Sequence, residues 1–379
     1  MKTKLLFIIT SYIHGGTNRS LQFLLSVLNP EQFDIYLLCI VDGGAYQKVF
    51  KDYKVIKMPS YLYYFWNSHN ILMKGLRFFN RKCNYIIFKI LSSKYIKKLE
   101  STYRFDKIIA YEEGIATYVT SHFNIEKIAW VHCDYQYYNK KNTFLEKQSY
   151  NKIDKIICVS KHTSQSFAQN YPKLKHKIDY AYNLLNIENI KLNSNENIKN
   201  ELFNNKLFTI ISIGRFDPIK QFERIPEIVS KIKKQNEGSP FKWYIIGGGN
   251  ENVKSKIISE IEKYNLNDTI QLLGVIDNPY PYIKNSNLLV STSYSEACPY
   301  VINEAKALKI PVVSTDYASA FELISSDNGI ITSIEKMPSV LFNLINNIND
   351  QYSQMLIKLQ KHQFDSSKDY HKIVNILNR

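Results

Sequence analysis

The sequence has few cysteines, and they do not follow the spacing of a disulfide framework. The chain of 379 residues carries five, which are widely separated and form no C-x-x-C pair. An odd number of scattered thiols leaves one unpaired in any disulfide scheme, a pattern typical of proteins whose thiols stay reduced. We therefore expect a cytoplasmic protein with the free thiols Cys39, Cys83, Cys133, Cys158 and Cys298.

Long hydrophobic runs are also absent. The opening segment MKTKLLFIITSY has only five apolar residues before polar ones return, which is too short for the core of a signal peptide. No later run approaches the length needed to cross a membrane. The composition, with 45% hydrophobic and 22% charged residues, excludes a disordered chain, and the length indicates two domains of ordinary size.

One stretch of the chain lacks acidic residues altogether. Residues 53–99 contain no Asp or Glu but carry ten lysines and arginines between aromatic segments such as YLYYFW, and the whole chain has a formal net charge of +15. Basic heads beside aromatic bodies suit an anionic membrane surface. The alternative is a pair of helices that pack on a core and whose lysines are merely solvated. Nucleic acid is not expected as a partner, because no recognised reader motif accompanies the patch.

The apolar runs predict two parallel sheets in tandem. In each half of the chain, continuous apolar runs of strand length alternate with helix-length segments, and continuous runs are typical of strands buried on both faces. An asparagine-rich segment, residues 183–201, is expected to contain the linker between the halves. The predicted class is α/β, with two doubly wound parallel-sheet domains, residues 1–185 and 186–360, and a helical tail, residues 361–379.

In open parallel sheets, ligands bind beyond the carboxyl ends of the strands, and two strand ends of the first half carry candidate residues. Gly15 and Gly16 follow the first strand, where glycines permit close backbone approach and the next helix offers N–H groups to a phosphate or a sugar. The plain alternative is a tight turn. A later strand ends at His132, although a lone histidine at such a position is more often structural than catalytic.

The second half places two cations on the loop after its first strand. Gly214 is followed by Arg215 and Lys220 in the segment GRFDPIK. A planar guanidinium and a mobile ammonium group can together neutralise a diphosphate that departs with negative charge. The alternative is a pair of solvated surface cations.

Two carboxylates follow in the segment YSEACPYVINEAKAL. Glu296 lies in a predicted loop, and Glu304 lies in a predicted helix that has Pro299 in its first turn, where proline is favoured. Carboxylates accept hydrogen bonds from vicinal hydroxyls, so this pair could bind a sugar ring and a ribose while the helix N–H groups take the phosphates between them. The ligand described by these groups is a nucleotide sugar.

These motifs and their order resemble those of the retaining glycosyltransferases of family 4, which have the GT-B fold. The family's paired glutamates appear as Glu296 and Glu304, its G-x-G turn as IIGGGNE and its L-G-x-x-x-N element as LLGVIDN. The resemblance implies two Rossmann-like domains that face each other across a cleft, with a C-terminal helix that crosses back to the first domain. It also implies that the first domain, residues 1–185, binds the acceptor and that the second, residues 186–360, binds the nucleotide sugar. The chain departs from the family at Ala297 and Lys309, which replace glycines, and at YASAFE, which replaces a glycine pair.

The resemblance also implies a role for each candidate residue. Arg215 and Lys220 would bind the donor diphosphate, Glu296 would bond the transferred sugar, and Glu304 would bond the ribose. The implied catalytic residues are therefore Glu296, His132, Arg215 and Lys220. The implied donor-binding residues are Gly15, Gly16, Gly214, Arg215, Lys220, Gly247, Val275, Ile276, Glu296, Pro299, Tyr300, Val301 and Glu304.

The implied activity is that of a retaining hexosyltransferase. It would move a sugar from a nucleotide-sugar donor, with a UDP-sugar favoured, to a glycan or a polyprenyl-diphosphate-linked glycan in capsule or surface polysaccharide biosynthesis. No cofactor and no metal ion is expected, since two cations and a helix N-terminus supply the positive charge and the sequence contains no D-x-D triplet.

The expected location is cytoplasmic and peripheral, on the inner face of the cytoplasmic membrane, through residues 53–99. Two alternatives stay open at this point. One is a nucleotide-sugar epimerase of the same fold, and the other is a non-catalytic, membrane-bound partner of another glycosyltransferase.

Overall fold

The computed structural model describes residues 2–13, 15–59, 91–138, 143–198, 207–235, 240–361 and 364–378. The chain divides into two compact units. The first comprises Met1–Leu184 together with Ser367–Arg379, and the second comprises Leu185–Ser366. Each unit is built on its own parallel sheet with flanking helices. The prediction of two Rossmann-like parallel-sheet domains is therefore confirmed.

The sheet of the first unit has seven strands: β1 (Thr3–Ser11), β2 (Phe33–Val41), β3 (Lys54–Lys57), β4 (Lys107–Ala110), β5 (Glu126–Val131), β6 (Lys155–Cys158) and β7 (Ile178–Tyr180). They lie in the order β3-β2-β1-β4-β5-β6-β7. Residues 5–9 of β1 are fully buried, because helices cover both faces of the sheet at its centre. β1 pairs with β2 on one side and with β4 on the other, both in parallel.

The helices of the first unit follow its strands along the chain. They are α1 (Gly16–Val27), α2 (residues 91–103), α3 (Ile115–Thr120), α4 (Thr143–Asn151) and α5 (Lys161–Asn170), with 3-10 helices at Ala45–Gln47 and Pro172–Lys177. Ser160 caps α5, since its hydroxyl oxygen accepts a hydrogen bond from the backbone N–H of Thr163 at 3.1 Å.

The C-terminal helix (Ser367–Asn378) belongs to the first unit. Lys372 donates a hydrogen bond to Asp179 at 2.6 Å, and the carboxylate of Asp369 accepts one from the backbone N–H of Tyr182 at 3.1 Å. The apolar side of the helix is buried, with Ile373 and Leu377 at 2% and 0% exposure. Polar contacts beside β7 and apolar burial together hold this helix in the unit.

The sheet of the second unit has six parallel strands: β8 (Phe208–Ile213), β9 (Phe241–Ile246), β10 (Ile270–Gly274), β11 (Leu288–Ser291), β12 (Val312–Thr315) and β13 (Gly329–Thr332). Their order is β10-β9-β8-β11-β12-β13. Ile211 of β8 is paired in register with Tyr244 of β9 and with Leu289 of β11, so β8 lies at the centre. The next two strands along the chain, β9 and β10, lie on one side of β8, and the later strands β11 to β13 lie on the other side.

The helices of the second unit are α6 (Ile187–Asn193), α7 (Ile225–Gln235), α8 (Glu251–Lys263), α9 (Tyr280–Lys284), α10 (Tyr300–Ala307), α11 (Ala320–Leu323), α12 (Met337–Ile345) and α13 (Gln351–Lys361). Short 3-10 helices occur at Pro218–Lys220, Phe222–Arg224 and Ile348–Asp350. The predicted helices after β8, β9 and β11 are all present.

Part of the predicted linker is a folded element. Residues 187–193 form α6, whose N-cap Asn186 accepts a hydrogen bond from the backbone N–H of Asn189 at 3.0 Å. The amide of Asn278 donates to the backbone oxygen of Asn193 at 2.9 Å, which ties α6 to the second unit. The asparagines that suggested a linker act here as a helix cap and as helix contacts, a role in which asparagine is favoured.

Most of the predicted basic aromatic segment, residues 60–90 of 53–99, lies outside the described residues. At its described start, Lys54 and Lys57 of β3 form ion pairs with Asp34 at 2.6 Å and Asp42 at 3.2 Å. No helix within the described ranges is both long and apolar enough to cross a bilayer. The thiols of Cys39, Cys133, Cys158 and Cys298 form no disulfide with one another, and Cys83 lies outside the described residues.

Candidate functional site

The strand order of the second unit creates a crevice beside β8. In a doubly wound sheet, ligands bind where the strand order reverses, beyond the carboxyl ends of the two strands that flank the reversal. Here the reversal falls between β8 and β11. The loops after these strands carry Arg215 and Lys220 on one side and Glu296 on the other, so the topology alone brings the two sequence motifs together.

Two glycines shape the loop after β8. A Cβ atom on Gly214 would lie 3.1 Å from Cε of Lys220 and 3.3 Å from the ring of Phe222, so the lysine side chain passes directly over this residue. Gly247, which follows β9, has a φ of +152°, and a Cβ atom there would lie 1.8 Å from the backbone oxygen of Gly214. The close approach of these two loops therefore requires glycine at position 247.

Lys220 and Glu296 contact each other directly. The ammonium group of Lys220 forms an ion pair with Oε1 of Glu296, and their side chains are only 20% and 15% exposed. The hydroxyl of Ser293 donates to the same carboxylate oxygen at 2.7 Å. The hydroxyl of Thr292 donates to the backbone oxygen of Lys220 at 2.7 Å, and the N–H of Tyr294 donates to Ile219 O at 3.0 Å. The two loops are thus joined by side-chain and backbone bonds.

Arg215 is the exposed cation of the same loop. Within the described ranges its guanidinium has no carboxylate partner. Asp217 holds the loop after it, since its carboxylate accepts a hydrogen bond from the N–H of Ile219 at 3.0 Å and begins the short 3-10 helix at Pro218. Arg215 is therefore available to an anionic ligand, whereas Lys220 is already paired with Glu296.

The second glutamate is enclosed. Glu304 lies in α10 and is 1% exposed, with the hydroxyl of Tyr280 at 3.5 Å from its Oε1. The N-cap of α10 is Pro299, so Tyr300 and Val301 form the first turn and carry N–H groups that have no partner inside the helix. The structure thus places the start of α10 beside the Glu296 loop and the Glu304 carboxylate beneath Tyr280.

The predicted base-binding residues follow β10. Val275 is 64% exposed, and its Cγ2 would lie 2.7 Å from a Cβ atom on Gly248. Ile276 is partly buried. Val275 therefore covers the glycine turn of β9 with an exposed apolar side chain, at the same sheet edge as the loop of β8.

In the first unit the strand order reverses between β1 and β4. The loop after β1 ends at Gly15, the N-cap of α1, and Gly16 is the first residue of that helix. A Cβ atom at either position would meet nothing within 4 Å. The amide of Asn18 fixes this loop by donating to the backbone oxygens of Ser11 at 2.9 Å and Ile13 at 2.7 Å. Since local packing does not require the two glycines, the space above them is open to a ligand. Asn18 was not predicted from the sequence.

His132 directly follows β5, and its ring centroid lies 4.9 Å from that of Tyr111. Its Nε2 is buried and has no hydrogen-bond partner among the described residues. Burial lowers the pKa of His132 to about 3, so the imidazole is neutral at physiological pH. A neutral imidazole can accept or donate a hydrogen bond at a sugar hydroxyl.

Two glutamates of the segment YEEG hold this end of the sheet, and neither was predicted from the sequence. Oε1 of Glu113 accepts hydrogen bonds from the backbone N–H groups of His132 at 2.5 Å and Cys133 at 2.8 Å. Oε1 of Glu112 accepts one from the N–H of Thr10 at 2.9 Å. Burial raises the pKa of Glu113 to about 7. The signal in the sequence was a pair of acids one residue after an apolar strand.

Comparison with known proteins gives the same assignment. Residues 193–352 match the family described as glycosyl transferases group 1. This part of the chain is similar to a group 1 glycosyl transferase domain. The predicted resemblance to GT-B glycosyltransferases is confirmed, since curated relatives that match the sequence are glycosyltransferases and the solved structures that match the chain share its fold.

Several curated relatives are glycosyltransferases. The chain is 31% identical over 182 residues to the uncharacterized glycosyltransferase MJ1059 of Methanocaldococcus jannaschii, covering 47% of this chain and 44% of the relative. It is 28% identical over 211 residues to the N-acetylgalactosamine-N,N'-diacetylbacillosaminyl-diphospho-undecaprenol 4-alpha-N-acetylgalactosaminyltransferase of Campylobacter jejuni, covering 55% and 54%. The chain thus spans about half the length of these two relatives. The amylovoran biosynthesis glycosyltransferase AmsD of Erwinia amylovora is 23% identical, covering 88% and 86%.

The fold is shared with solved glycosyltransferases over nearly the whole chain. Anabaena Alr3699/HepE in complex with UDP and glucose superposes with a TM-score of 0.77 at 17% identity, covering 99% of both chains. A mutant of S. aureus TarM in complex with Fondaparinux, alpha-GlcNAc-glycerol and UDP superposes with a TM-score of 0.72 at 16% identity, covering 100% of both chains. At these identities the likeness shows the fold alone.

Proposed function

We propose that the protein is a retaining glycosyltransferase that moves a sugar from a UDP-sugar to a glycan or lipid-linked glycan acceptor. The observation that carries the proposal is the contact between Lys220 and Glu296 at the strand reversal of a group 1 domain, beside the exposed Arg215. One cationic and one anionic group are held at one sheet edge, and a second cation lies next to them. A nucleotide sugar needs such a set, because it presents hydroxyls at one end and a diphosphate at the other.

Arg215 and Lys220 would bind the donor diphosphate. Cations that are already positioned at a strand end stabilise charge as it develops, without reorganisation during the reaction. The first-turn N–H groups of α10, at Tyr300 and Val301, would add to the positive field. Together these groups would supply the positive charge that a divalent ion supplies in other enzymes.

Glu296 would orient the transferred sugar. Its carboxylate bonds Ser293 and Lys220 in the free protein, so it has accepting capacity left for sugar hydroxyls. His132 is the second candidate for contact with a hydroxyl, because its buried Nε2 has no partner among the described residues. Glu304 would bond the ribose only after Tyr280, which now covers it, has shifted.

The chemical step follows from retention. The bond between the anomeric carbon and the diphosphate oxygen breaks, and the acceptor hydroxyl forms its bond to the same face of that carbon. The hydroxyl proton passes to an oxygen of the departing diphosphate, so that charge and atoms balance. Arg215 and Lys220 stabilise the leaving group while the sugar carries positive charge.

The donor and acceptor classes rest on the relatives. HepE was solved with UDP and with UDP-glucose, and TarM with UDP, which favours a UDP-sugar for this chain. The names of the Campylobacter and Erwinia relatives specify a diphospho-undecaprenol-linked glycan and amylovoran, which favours a lipid-linked or polymeric acceptor of surface polysaccharide or capsule biosynthesis. Such an acceptor would bring the enzyme to the inner face of the cytoplasmic membrane, and the basic segment 53–99 supports that location.

The test is an incubation with UDP-sugars in the presence and absence of undecaprenyl-diphosphate-linked glycans. We expect release of UDP and an α-linked product from an α-configured donor, with the anomeric configuration read by NMR. Epimerised donor in the absence of acceptor would support the epimerase alternative instead. Glu296→Gln should abolish transfer, while the matched variant Glu262→Gln on the exposed side of α8 should not change it. Full activity of Glu296→Gln would support a non-catalytic role.

A further inference from the structure

A polar pocket of about 470 Å³ lies on the first unit between α5 and the turn at residues 135–136. One wall is a face of α5, where His162, Gln165, Ser166, Gln169 and Asn170 recur at helical spacing. The opposite face of the helix packs in the core, with Phe167 fully buried. The wall therefore combines uncharged amides with one histidine, and the only carboxylate beneath it among the described residues belongs to Asp134.

Asp134 fixes this wall from beneath. It is 8% exposed, and its Oδ1 accepts hydrogen bonds from the hydroxyl of Ser166 at 2.7 Å and the N–H of Gln136 at 3.0 Å. Its Oδ2 lies 3.0 Å from Nε2 of His162. Burial alone would raise the pKa of Asp134, but these hydrogen bonds hold that pKa below its ordinary value. Both oxygens of the Asp134 carboxylate are thus engaged by groups of the wall, and they hold α5 and the turn at residues 135–136 in a fixed geometry.

The groups that face the pocket suit a neutral polyhydroxyl ligand. Exposed Gln165 and Gln169 each offer a carbonyl acceptor and two N–H donors. The amide nitrogen of Asn170 donates to the backbone oxygens of Ser166 at 2.9 Å and Tyr135 at 3.4 Å, so its carbonyl is the group left to accept. Sugar hydroxyls both donate and accept, as this set does. A phosphate would call for cations, and the pocket lining contains neither lysine nor arginine.

The position of the pocket relates it to His132. The chain leaves β5 at His132, where Glu113 binds the N–H groups of residues 132 and 133, and reaches the pocket at Tyr135. Three residues of extended chain span at most roughly 11 Å, about two hexose units. A glycan whose reacting end lay at His132 is therefore long enough to place its second or third sugar at α5.

We propose that this pocket is an acceptor subsite that binds a neutral sugar one or two units from the hydroxyl being glycosylated. This inference rests on the proposed function and adds a specificity determinant to it. Gln165 and Gln169 supply the hydrogen bonds, and Asp134 positions the helix that carries them. Binding at this subsite would make transfer depend on acceptor length.

The first experiment measures binding without catalysis. The full chain is applied to an array of neutral tetrasaccharides of glucose, galactose and N-acetylhexosamines, and the dissociation constant of the strongest binder is measured for Gln165→Ala/Gln169→Ala. We expect a loss of roughly tenfold, the effect of about two hydrogen bonds. The control Gln360→Ala, an exposed helical glutamine of the second unit, should bind as the parent does. Absence of any neutral glycan binding, or equal affinity of the double variant, would overturn the proposal.

The second experiment separates the subsite from the transferase activity itself. Transfer is measured on lipid-linked acceptors of one, two and three sugars for the parent and the double variant. We expect KM for the longer acceptors to rise roughly tenfold in the variant, with kcat and all values for the shortest acceptor unchanged. An equal rise in KM or an equal fall in kcat on all three acceptors would contradict the subsite. Absence of transfer by the parent would contradict the proposed function, and the array would then decide on the pocket alone.

Discussion

Lys220 forms an ion pair with Glu296, although 76 positions separate them in the chain. The contact exists because β8 and β11 are neighbours in the sheet and the loops that follow them leave from the same edge. Both side chains are partly buried, and the carboxylate is further held by Ser293. In the free protein the pair keeps the two charged groups in place while each retains the capacity to bind a ligand.

Loss of this lysine should impair chemistry more than folding. We expect Lys220→Ala to lower kcat by about 10²–10³-fold, because a positioned cation that stabilises the leaving group is removed. The measurement is UDP release under saturating donor. Lys256→Ala, an exposed lysine of α8, is the matched control and should keep parental kcat. A parental kcat for Lys220→Ala would remove the lysine from the reaction.

The glycines of the two units should respond differently to alanine. Gly247→Ala introduces a Cβ atom 1.8 Å from the backbone oxygen of Gly214 at a φ of +152°, so we expect a loss of more than about 2 kcal/mol in unfolding free energy. Gly16→Ala meets nothing within 4 Å and should keep the parental melting temperature. We expect Gly16→Ala to raise the KM of a substrate that occupies the space above this glycine. Calorimetry and initial rates on both variants test this contrast.

Glu113 should make stability fall with pH over a defined window. Burial raises its pKa from 4.5 to about 7, so between these values the folded state holds a proton that the unfolded state has lost. The stabilisation that Glu113 contributes is fully present below pH 4.5 and is lost as the pH rises through 7. His132 acts in the opposite sense, because burial lowers its pKa from 6.5 to about 3 and stability rises with pH across that range.

The variant Glu113→Gln isolates the first effect. Its amide oxygen can still accept from the N–H groups of His132 and Cys133, but it does not titrate. We expect the unfolding free energy of the variant to rise more steeply than that of the parent between pH 4.5 and 6.5. Denaturant titrations at half-unit pH intervals measure the slopes. Equal slopes in parent and variant would mean that Glu113 does not carry a proton in this range.

The C-terminal helix should stabilise the first unit specifically. Leu377 is 0% exposed, so Leu377→Ala should cost about 2–5 kcal/mol of unfolding free energy. The exposed Asn375 in the same helix provides the control Asn375→Ala, for which no comparable loss is expected. Because two units can unfold separately, calorimetry is the appropriate measurement. A shift confined to the second unit's transition would contradict the assignment of this helix.

The sequence predicted the sheets well because their central strands are continuous apolar runs. Residues 5–9 of β1 are an example, since burial on both faces gives an unbroken apolar run in place of the alternating polar pattern of a surface strand. The edge strands β3, β7 and β13 escaped prediction, because they are short and only partly buried and so lack a continuous apolar run. The helix α6 inside the asparagine-rich segment was not predicted, because asparagine serves both as a cap and as a loop residue.

Candidate residues at strand ends were predictable where a motif named them, as with Lys220 and Glu296. Glu113 was not, because its role is to bind backbone N–H groups of a neighbouring strand and no side-chain motif records such a bond. The enclosure of Glu304 beneath Tyr280 was likewise invisible, since it depends on the packing of α9 against α10. Pairings set by topology follow from strand order, whereas burial of a single carboxylate does not.

The division of the chain has a consequence for biosynthesis. The first unit takes its last helix, Ser367–Asn378, from residues that the ribosome adds only after the whole of the second unit. The second unit is continuous and can complete its fold while translation proceeds. The nascent first unit must wait, with Asp179 and the apolar surface under Leu377 uncovered, until residues 367–378 have been synthesised and can pack against it.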